Sequence, residues 1–181
     1  TANVAFGEIV ALYNAFLAGA ESPLPEPRIQ YVDFSSWQKG LFDGDYLVPH
    51  VAYWKQQLAG APDRLRLPAD FPRPPVASYN GDMVLLELPQ PVVAALRAFC
   101  EHESATPFMV FGAVLFVLLH RLSGETDLCI GSPVAGRPHP DLESIVGLFV
   151  NTIVLRCRFE ADPTFEQLLA QIKRTTLEAY D

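Results

Sequence analysis

Leu148-Phe-Val-Asn-Thr-Ile-Val-Leu-Arg-Cys-Arg-Phe159 carries the clearest strand signal in this sequence. Its second half alternates between two faces, with Val154, Arg156 and Arg158 on one and Leu155, Cys157 and Phe159 on the other. Period-two alternation of this kind predicts a β-strand with one face on the core and the other in water. Asn151 and Thr152 interrupt the apolar half, and a buried asparagine needs hydrogen-bond partners or a polar cavity. The sequence of this run therefore predicts a β-strand of a sheet, with polar residues among its apolar ones.

The sequence on either side of this run alternates predicted helices with further strands. Apolar residues recur at helical spacing in segments that begin after capping or proline signals and end at glycine or proline. The predicted helices cover 4–17, 31–39, 46–58, 89–103, 108–122 and the segment after Asp162-Pro163, and two further strands are predicted at Val84–Leu88 and Asp127–Val134. The helix over 108–122 is apolar on nearly all sides, which predicts a central, covered helix. Helices mixed with at least three strands predict an α/β fold or an α+β fold built in layers.

The composition excludes several classes of function. The chain has 181 residues, of which 50% are apolar, and a net charge of −8, so that disorder and binding along a nucleic-acid backbone are both disfavoured. The longest apolar run is shorter than the ~20 residues of a membrane span, and no signal peptide is visible. Cys100, Cys129 and Cys157 stand far apart, which indicates neither a disulfide framework nor a zinc ribbon. We therefore expect a cytoplasmic protein that binds neither nucleic acid nor membrane.

The residues that could carry chemistry form no self-sufficient catalytic centre. The four histidines have no metal-ligand spacing, and the sequence contains no GxSxG elbow and no glycine-rich phosphate loop. Gly131-Ser-Pro-Val-Ala-Gly-Arg137 combines glycine and proline in a way that forces a defined backbone path directly after a strand. The composition of this segment and of the one around Asn151 indicates more than packing, and the alternatives that stay open are a tight turn for the first and a structural role for both.

Several motifs, taken in chain order, resemble those of one family. Tyr31-Val-Asp-Phe-Ser-Ser-Trp37 resembles a YxDFAxW motif, and Ile145-Val-Gly-Leu-Phe-Val-Asn-Thr-Ile-Val-Leu-Arg156 closely resembles an (I/V)GxFVNTxxxR motif. Tyr53-Trp54-Lys-Gln-Gln-Leu, Leu67-Pro-Ala-Asp-Phe-Pro-Arg-Pro, Ser78-Tyr-Asn-Gly81 and Gly131–Arg137 are also similar to stretches typical of that family. The family is the condensation domain of nonribosomal peptide synthetases, and the resemblance runs essentially from end to end. The FVNT sequence favours condensation over the related epimerisation domains.

The resemblance implies a chloramphenicol-acetyltransferase-like half-domain, an α/β fold of the α+β sandwich type with helices packed on a mixed sheet. Residues 1–27 would be the terminal helix of the N-terminal subdomain and a proline-rich connector, and residues 28–181 a partial C-terminal subdomain. The family's HHxxxDG motif, which provides the catalytic histidine, is absent and is expected upstream of Thr1. The chain is therefore interpreted as an internal fragment with no catalytic residue and no metal site of its own.

The resemblance also implies a reaction and its partners. Condensation domains join carrier-tethered acyl or peptidyl and aminoacyl thioesters through an amide bond, in the biosynthesis of antibiotics and other secondary metabolites. The expected partners are donor and acceptor carrier protein domains, the missing N-terminal subdomain and the adjacent synthetase modules. The substrates would arrive on the phosphopantetheine arms of the carriers, and no cofactor is expected to bind this chain directly. By itself the fragment is expected to be inactive.

Roles for single residues follow from the same resemblance. The predicted lining of the substrate channel is Asn151, Gly131, Ser132, Pro133 and Gly81, with Asn151 nearest to the reaction as a hydrogen-bonding group. Tyr31, Asp33, Trp37 and Arg156 are expected to hold the architecture together, Arg156 through a half-buried ion pair. Two roles stay open for Arg137: it holds its own loop in place, or it contacts a carrier protein.

Two other functions remain as alternatives. One is a noncatalytic module that docks carrier proteins or serves as a scaffold, and the other is a different acyltransferase of the same superfamily. The fragment interpretation makes a structural prediction of its own. The apolar face of helix 4–17 would lack its natural partners, and we expect it to pack on another copy or fold back onto 46–58.

Overall fold

The computed structural model describes residues 1–72 and 74–180 and contains helices and strands in an α+β arrangement. In chain order the elements are α1 (Ala2–Leu17), α2 (Tyr31–Phe42), α3 (Leu47–Gln57), α4 (Gln90–His102), α5 (Pro107–Ser123), β1 (Asp127–Val134), a 3-10 helix (Pro140–Leu142), β2 (Asn151–Arg158) and α6 (Phe165–Tyr180). All six predicted helices are confirmed to within a few residues, as are the two predicted strands that became β1 and β2. The local signals in the sequence were therefore sufficient for most elements.

Capping groups explain why the helices begin where they do. The hydroxyl of Thr106 accepts a hydrogen bond from the Met109 backbone N–H at 3.3 Å, and Pro107 fills the first turn of α5. At α2, the Asp33 carboxylate accepts from the Gln30 N–H at 2.7 Å, which forms half of a capping box. Asp33 thus has a structural role at the start of its helix.

The chain forms two compact units. Unit 1 consists of Thr1–Ala59 and Pro133–Thr152, and unit 2 consists of Gly60–Ser132 and Ile153–Asp181. Each unit is therefore built from two separate stretches of chain. This division does not follow the boundary expected after residue 27, which stays a prediction about the longer protein.

The core of unit 1 lies where α2 meets the segment after β1. Buried aromatic and aliphatic side chains form it, with Ile29 and Tyr31 packed at its edge: Phe34, Leu142, Ile145 and Phe149. The Phe34 and Phe149 rings lie 4.7 Å apart, and Tyr31 meets Phe149 edge-on at 5.3 Å. This aromatic cluster connects the YxDFAxW-like helix to the FVNT-like segment.

The core of unit 2 lies between α5 and α6, and α4 packs on α5. β1 and β2 pair in a two-stranded sheet, and Phe159 donates its N–H to the Thr126 carbonyl at 2.7 Å, as antiparallel pairing requires. The fully buried side chains include Phe116, Leu128, Cys157, Leu169 and Ile172. The predicted mixed sheet is thus, within the described residues, a single antiparallel pair.

Two sequence-based predictions in unit 2 were wrong. Val84–Leu88 forms no strand, because no other segment among the described residues lies beside it to supply the hydrogen-bonded ladder. The helix α5 is covered on one side only: Ala113 and Phe116 are buried, whereas Phe111 and Leu118 are each 50% exposed. The apolar residues around α5 are therefore more numerous than its neighbours can cover.

The helix α1 leaves its apolar face in water. It has no buried residue, and its large apolar side chains are more than half exposed: Phe6, Ile9, Val10, Tyr13, Phe16 and Leu17. The expected packing of this face back onto residues 46–58 does not occur. Contiguous exposed apolar faces are typical of interaction surfaces.

None of the described helices has, by itself, the length and apolarity that a membrane span requires. The helices α4 and α5 reach that threshold only when taken together, and they bend by 102° at their junction.

Candidate functional site

Arg137 organises the loop that leads to Asn151. Its guanidinium group donates to the carbonyl oxygens of Leu142 and Ile145, the second at 2.8 Å. It also lies over the Phe149 ring, with 4.0 Å between the guanidinium carbon and the ring centroid. We call residues 137–149 the Arg137 loop. Of the two roles left open for Arg137, these contacts match bracing.

Tyr31 fixes the far end of the Arg137 loop. Its hydroxyl donates to the Leu148 carbonyl at 2.9 Å, and its ring packs so closely on Gly147 that a Cβ there would lie 2.7 Å from two ring carbons. Any side chain at Gly147 would displace the tyrosine. The segment that begins at Tyr31 and the segment that contains Gly147 therefore have complementary shapes, because the tyrosine ring occupies the space that a side chain at Gly147 would need.

Gly136 also lies very close to another part of unit 1, the backbone carbonyl group of Phe149. Its φ is +65°, in the left-handed region, and a Cβ at this position would lie 2.9 Å from the Phe149 carbonyl carbon and closer still to its oxygen. Glycine is required here both for its backbone angle and for the space that it leaves. The Gly131–Arg137 segment thus has a defined path, as its composition predicted.

The predicted channel residues are mostly at the surface of their units. Asn151 is exposed at the start of β2, where its Oδ1 accepts from the Thr152 N–H at 2.8 Å. Gly131, Pro133 and Gly81 are exposed as well, and Ser132 is buried with 9% of its surface accessible. Asn151 and Pro133 belong to unit 1, and the other three belong to unit 2. Their predicted role as a channel wall remains a prediction.

Arg156 forms a buried ion pair in unit 2. Its Nε and Nη2 atoms donate to the two carboxylate oxygens of Asp127 at 2.8 and 2.6 Å, and its side chain is only 4% exposed. These bonds hold the pKa of the Asp127 carboxyl below its usual range and raise the pKa of Arg156. The strand face predicted to be wet therefore contains a buried arginine, because β1 supplies a partner for its charge.

The two cysteines of the sheet are buried or partly buried thiols. Burial raises the pKa of Cys157 to about 12 and also raises the pKa of Cys129. A thiolate is the reactive form of cysteine, and burial disfavours that form at both positions.

A small apolar cavity of about 350 Å³ lies in unit 1 beside α2. Its lining includes Phe34, Trp37, Pro138 and His139. Trp37 is 55% exposed, although its ring contacts Phe34 at 5.8 Å between centroids. Trp37 therefore supports the aromatic cluster with one side of its ring only.

Among residues 1–72 and 74–180, no group of three or more histidine, cysteine or acidic side chains is arranged to hold a metal ion. The described histidine in the last turn of α5 has structural contacts at the face of its ring and at one ring nitrogen. His120 is stacked on Phe159 at 4.2 Å, and its Nδ1 atom bonds to the Glu125 carbonyl at 2.7 Å. His120 therefore has a structural environment at the end of its helix.

Sequence reasoning missed one residue of these sites and the close contacts of two glycines that lie in its motifs. Asp127 was not identified as the partner of Arg156, although an acidic residue at the start of a neighbouring strand is a signal that could have been used. The close contacts of Gly136 and Gly147 could not be predicted, because they depend on which distant side chain or carbonyl lies opposite.

The contacts of Arg137 make a prediction about stability. We expect Arg137→Ala to lower the free energy of unfolding by about 2 kcal/mol, because it removes charged hydrogen bonds to loop carbonyls. Arg137→Lys should lose most of this stability, since a single ammonium group cannot replace the planar fork. Urea denaturation measures both, with Arg28→Ala as the control because Arg28 is exposed in the same unit. Equal values for Arg137→Ala and the control would contradict the bracing role.

Solved structures share this fold. The X-domain from teicoplanin biosynthesis superimposes with a TM-score of 0.88 at 30% identity, and the same kind of domain in a complex of the X-domain and OxyB superimposes with 0.89 at 29%. SgcC5 from Streptomyces globisporus superimposes with a TM-score of 0.76 at 27% sequence identity. Each match covers 98% of this chain and 40% of the other chain. The architecture is thus that of the chloramphenicol-acetyltransferase-like class.

The family model described as "Condensation domain" matches residues 2–181, and the chain belongs to that family. It is 42% identical over 178 residues to one of the linear gramicidin synthase proteins of Brevibacillus parabrevis, covering 98% of this chain and 2% of that protein. It is 43% identical over 179 residues to one of the plipastatin synthase proteins of Bacillus subtilis (strain 168), and the match covers 99% of this chain and 7% of that protein. It is 41% identical over 172 residues to phosphinothricin tripeptide synthetase PhsC of Streptomyces viridochromogenes, and the match covers 95% of this chain and 16% of that protein. The chain therefore spans a small fraction of these curated relatives.

Proposed function

We propose that this chain is part of a condensation domain that forms an amide bond between two carrier-tethered thioesters in a nonribosomal peptide synthetase. The observation that carries the proposal is the match of residues 2–181 to the condensation family, with 41–43% identity to peptide synthetases. In this reaction the amine of the aminoacyl group attacks the carbonyl carbon of the donor thioester. The thiol of the donor's phosphopantetheine arm leaves, and the amine gives up a proton.

Within that reaction the chain supplies part of the channel wall. The Arg137 loop and its aromatic support fix the backbone up to Phe149, and the exposed amide of Asn151 follows two residues later. A fixed amide donor can orient a thioester or stabilise charge on its carbonyl oxygen. Channel walls hold two tethered substrates together and exclude the water that would hydrolyse the thioester. Asn151 thus contributes a hydrogen bond and transfers no proton.

The base that receives the amine's proton lies outside this chain in our proposal. The described histidines have structural surroundings or exposed positions, and the HHxxxDG motif of the family does not occur in residues 1–181. The uncovered apolar face of α1 supports the same interpretation, because it offers a surface for a further subdomain. The chain by itself is therefore incompetent, and its partners are the rest of the domain and the two carrier proteins.

The test compares this chain with the complete condensation domain of its synthetase, using donor and acceptor carriers loaded with their thioesters. We expect no amide product above background from residues 1–181 alone. In the complete domain, Asn151→Ala should slow amide formation by about 100-fold, as the loss of one oriented donor does elsewhere. Asn14→Ala is the matched control, because Asn14 is an exposed asparagine on α1. Product formed by residues 1–181 alone would contradict the proposal, as would equal rates for the two variants.

A second candidate function is a noncatalytic docking module. It is favoured by the structural match to an X-domain solved in complex with OxyB, where a domain of this fold binds another protein. Mapping the contacts of a labelled carrier protein separates the two candidates. Contact at residues 131–137 and 149–152 supports a channel wall, whereas contact only on the outer helices supports docking.

A further inference from the structure

The main chain that leads to Asn151 is attached to α2 at two consecutive residues. The Tyr31 hydroxyl donates to the Leu148 carbonyl at 2.9 Å. The next residue, Phe149, is 7% exposed, and its ring centroid lies 5.3 Å from that of Tyr31 and 4.7 Å from that of Phe34. Tyr31 therefore contacts this stretch twice, once at a carbonyl group and once at a side chain.

The ring of Tyr31 has little freedom to move. A Cβ at Gly147 would lie 2.7 Å from two of its ring carbons, so that ring and main chain are in close contact just before Leu148. The Phe149 ring meets the tyrosine ring edge-on, at an interplanar angle of 83°. These two contacts set the direction of the phenol C–O bond. The Tyr31 hydroxyl thus offers the Leu148 carbonyl a fixed point of attachment.

The exposed side chains of the same stretch contribute little to its position. Leu148 and Val150 are 77% and 60% exposed, and Asn151 is exposed as well. Strand pairing begins with β2, whose first residue is Asn151. The amide of Asn151 therefore lies between two supports, which are the contacts with α2 before it and the strand after it. Loosening the first support would shift the amide.

The orientation of the Asn151 amide is tied to the backbone. Its Oδ1 atom accepts from the Thr152 N–H at 2.8 Å, so that Nδ2 is the donor that the amide presents. A side chain that bonds the next residue moves with the main chain that carries it. Groups that act in a reaction must be held to within about 0.5 Å of their productive positions. A small displacement of this backbone should therefore slow the reaction.

We propose that Tyr31 is a positioning residue for amide formation: through the Leu148 carbonyl, its hydroxyl sets where the Asn151 amide stands in the channel wall. This inference rests on the proposed function, in which Asn151 donates a hydrogen bond to the thioester. Tyr31 itself transfers no proton and binds no substrate. Its effect on the rate passes through Asn151, and this requirement distinguishes positioning from general support of the fold.

The variant Tyr31→Phe removes the hydroxyl and keeps the ring. In the complete condensation domain, with loaded donor and acceptor carriers, we expect kcat to fall about 10-fold, because the Asn151 amide is displaced and not removed. KM for both carriers should not change, since the lost interaction is made in the transition state. Tyr46→Phe is the control, because Tyr46 is a 50% exposed tyrosine of the same unit. Rates are compared per folded protein, with the folded fraction measured by circular dichroism. Equal kcat for the two variants would overturn the proposal, as would a change confined to KM.

A double-mutant cycle provides the readout that a merely structural role would not change. When Asn151→Ala is already present, Tyr31→Phe should lower the rate by less than about 2-fold, because no amide is left to position. A further loss of about 10-fold in that background would assign Tyr31 to the fold in general and would overturn the proposal.

The rates of these variants also separate the inference from the proposed function. If Asn151→Ala is slow and Tyr31→Phe is as fast as the native domain, the inference fails and the proposed function stands. If Asn151→Ala is no slower than Asn14→Ala, the proposed role of Asn151 fails, and the inference that rests on it fails as well. Slow single variants with no further loss in the double variant support both.

Discussion

Gly136→Ala is expected to destabilise unit 1, with a loss of about 3–5 kcal/mol in the free energy of unfolding. The new Cβ would meet the Phe149 carbonyl group, whose carbon lies 2.9 Å from the Cβ position and whose oxygen lies closer still. Because the obstacle is backbone, no change of rotamer relieves the overlap. Phe149 also carries the aromatic cluster and the cation contact of Arg137, so that its displacement removes packing as well. Urea denaturation followed by circular dichroism measures the loss.

Gly19→Ala isolates the contribution of the backbone angle. Gly19 has a φ of +69° in the same unit, but a Cβ there would meet nothing within 4 Å. Its substitution should cost only the left-handed strain of a single residue, about 1–2 kcal/mol. The difference between the two variants is the cost of the clash. If both variants lost the same free energy of unfolding, the close contact between Gly136 and Phe149 would contribute nothing to the cost of the substitution.

Arg156→Ala is expected to cost about 3–5 kcal/mol, because it leaves the Asp127 carboxylate partly buried without its main partner. The matched control is Arg158→Ala. Arg158 approaches the same carboxylate at 3.5 Å, but its side chain is 51% exposed. An exposed pair of this kind contributes about 0–1 kcal/mol. The two variants therefore remove the same charge from the same strand and the same acidic partner, and only burial and geometry differ between them.

The dependence of stability on pH gives a second readout of this pair. The folded state holds the pKa of Asp127 below its unfolded value of about 3.9. The pair therefore stabilises the fold above that pH, and this contribution is lost as the pH falls through the folded-state pKa. In the Asp127→Asn variant, the free energy of unfolding should fall less steeply as the pH is lowered in the acidic range. An unchanged pH dependence, or equal losses of stability for Arg156→Ala and Arg158→Ala, would contradict the assigned role of the pair.

The sequence predicted most of the secondary structure because those signals are local. Thr106 and Pro107 are adjacent to the helix that they begin, and the alternation after Asn151 lies within the strand that it forms. The same local logic produced one of the predictions that failed. Val84–Leu88 has the composition of a strand, but a strand needs a ladder partner and the described chain does not provide one.

The candidate site was predicted less completely. The motif resemblance selected Arg137, Tyr31 and Asn151, but it left two roles open for Arg137, and the contacts with the Leu142 and Ile145 carbonyls distinguish between them. The pairing of Arg156 with Asp127 joins residues that are 29 positions apart. Such a contact depends on strand register, which no single segment encodes.

The sequence by itself determined where the helices and the two paired strands lie, which family the chain resembles and which motifs are unusual. These properties depend on neighbours along the chain and on the order of motifs. Only the tertiary structure decided that Gly136 and Gly147 must be glycine, that Arg156 is buried and paired, and that the apolar faces of α1 and of residues 83–88 are uncovered. Those properties depend on which distant groups meet in space, because steric overlap, desolvation and hydrogen bonding act between atoms that the chain separates.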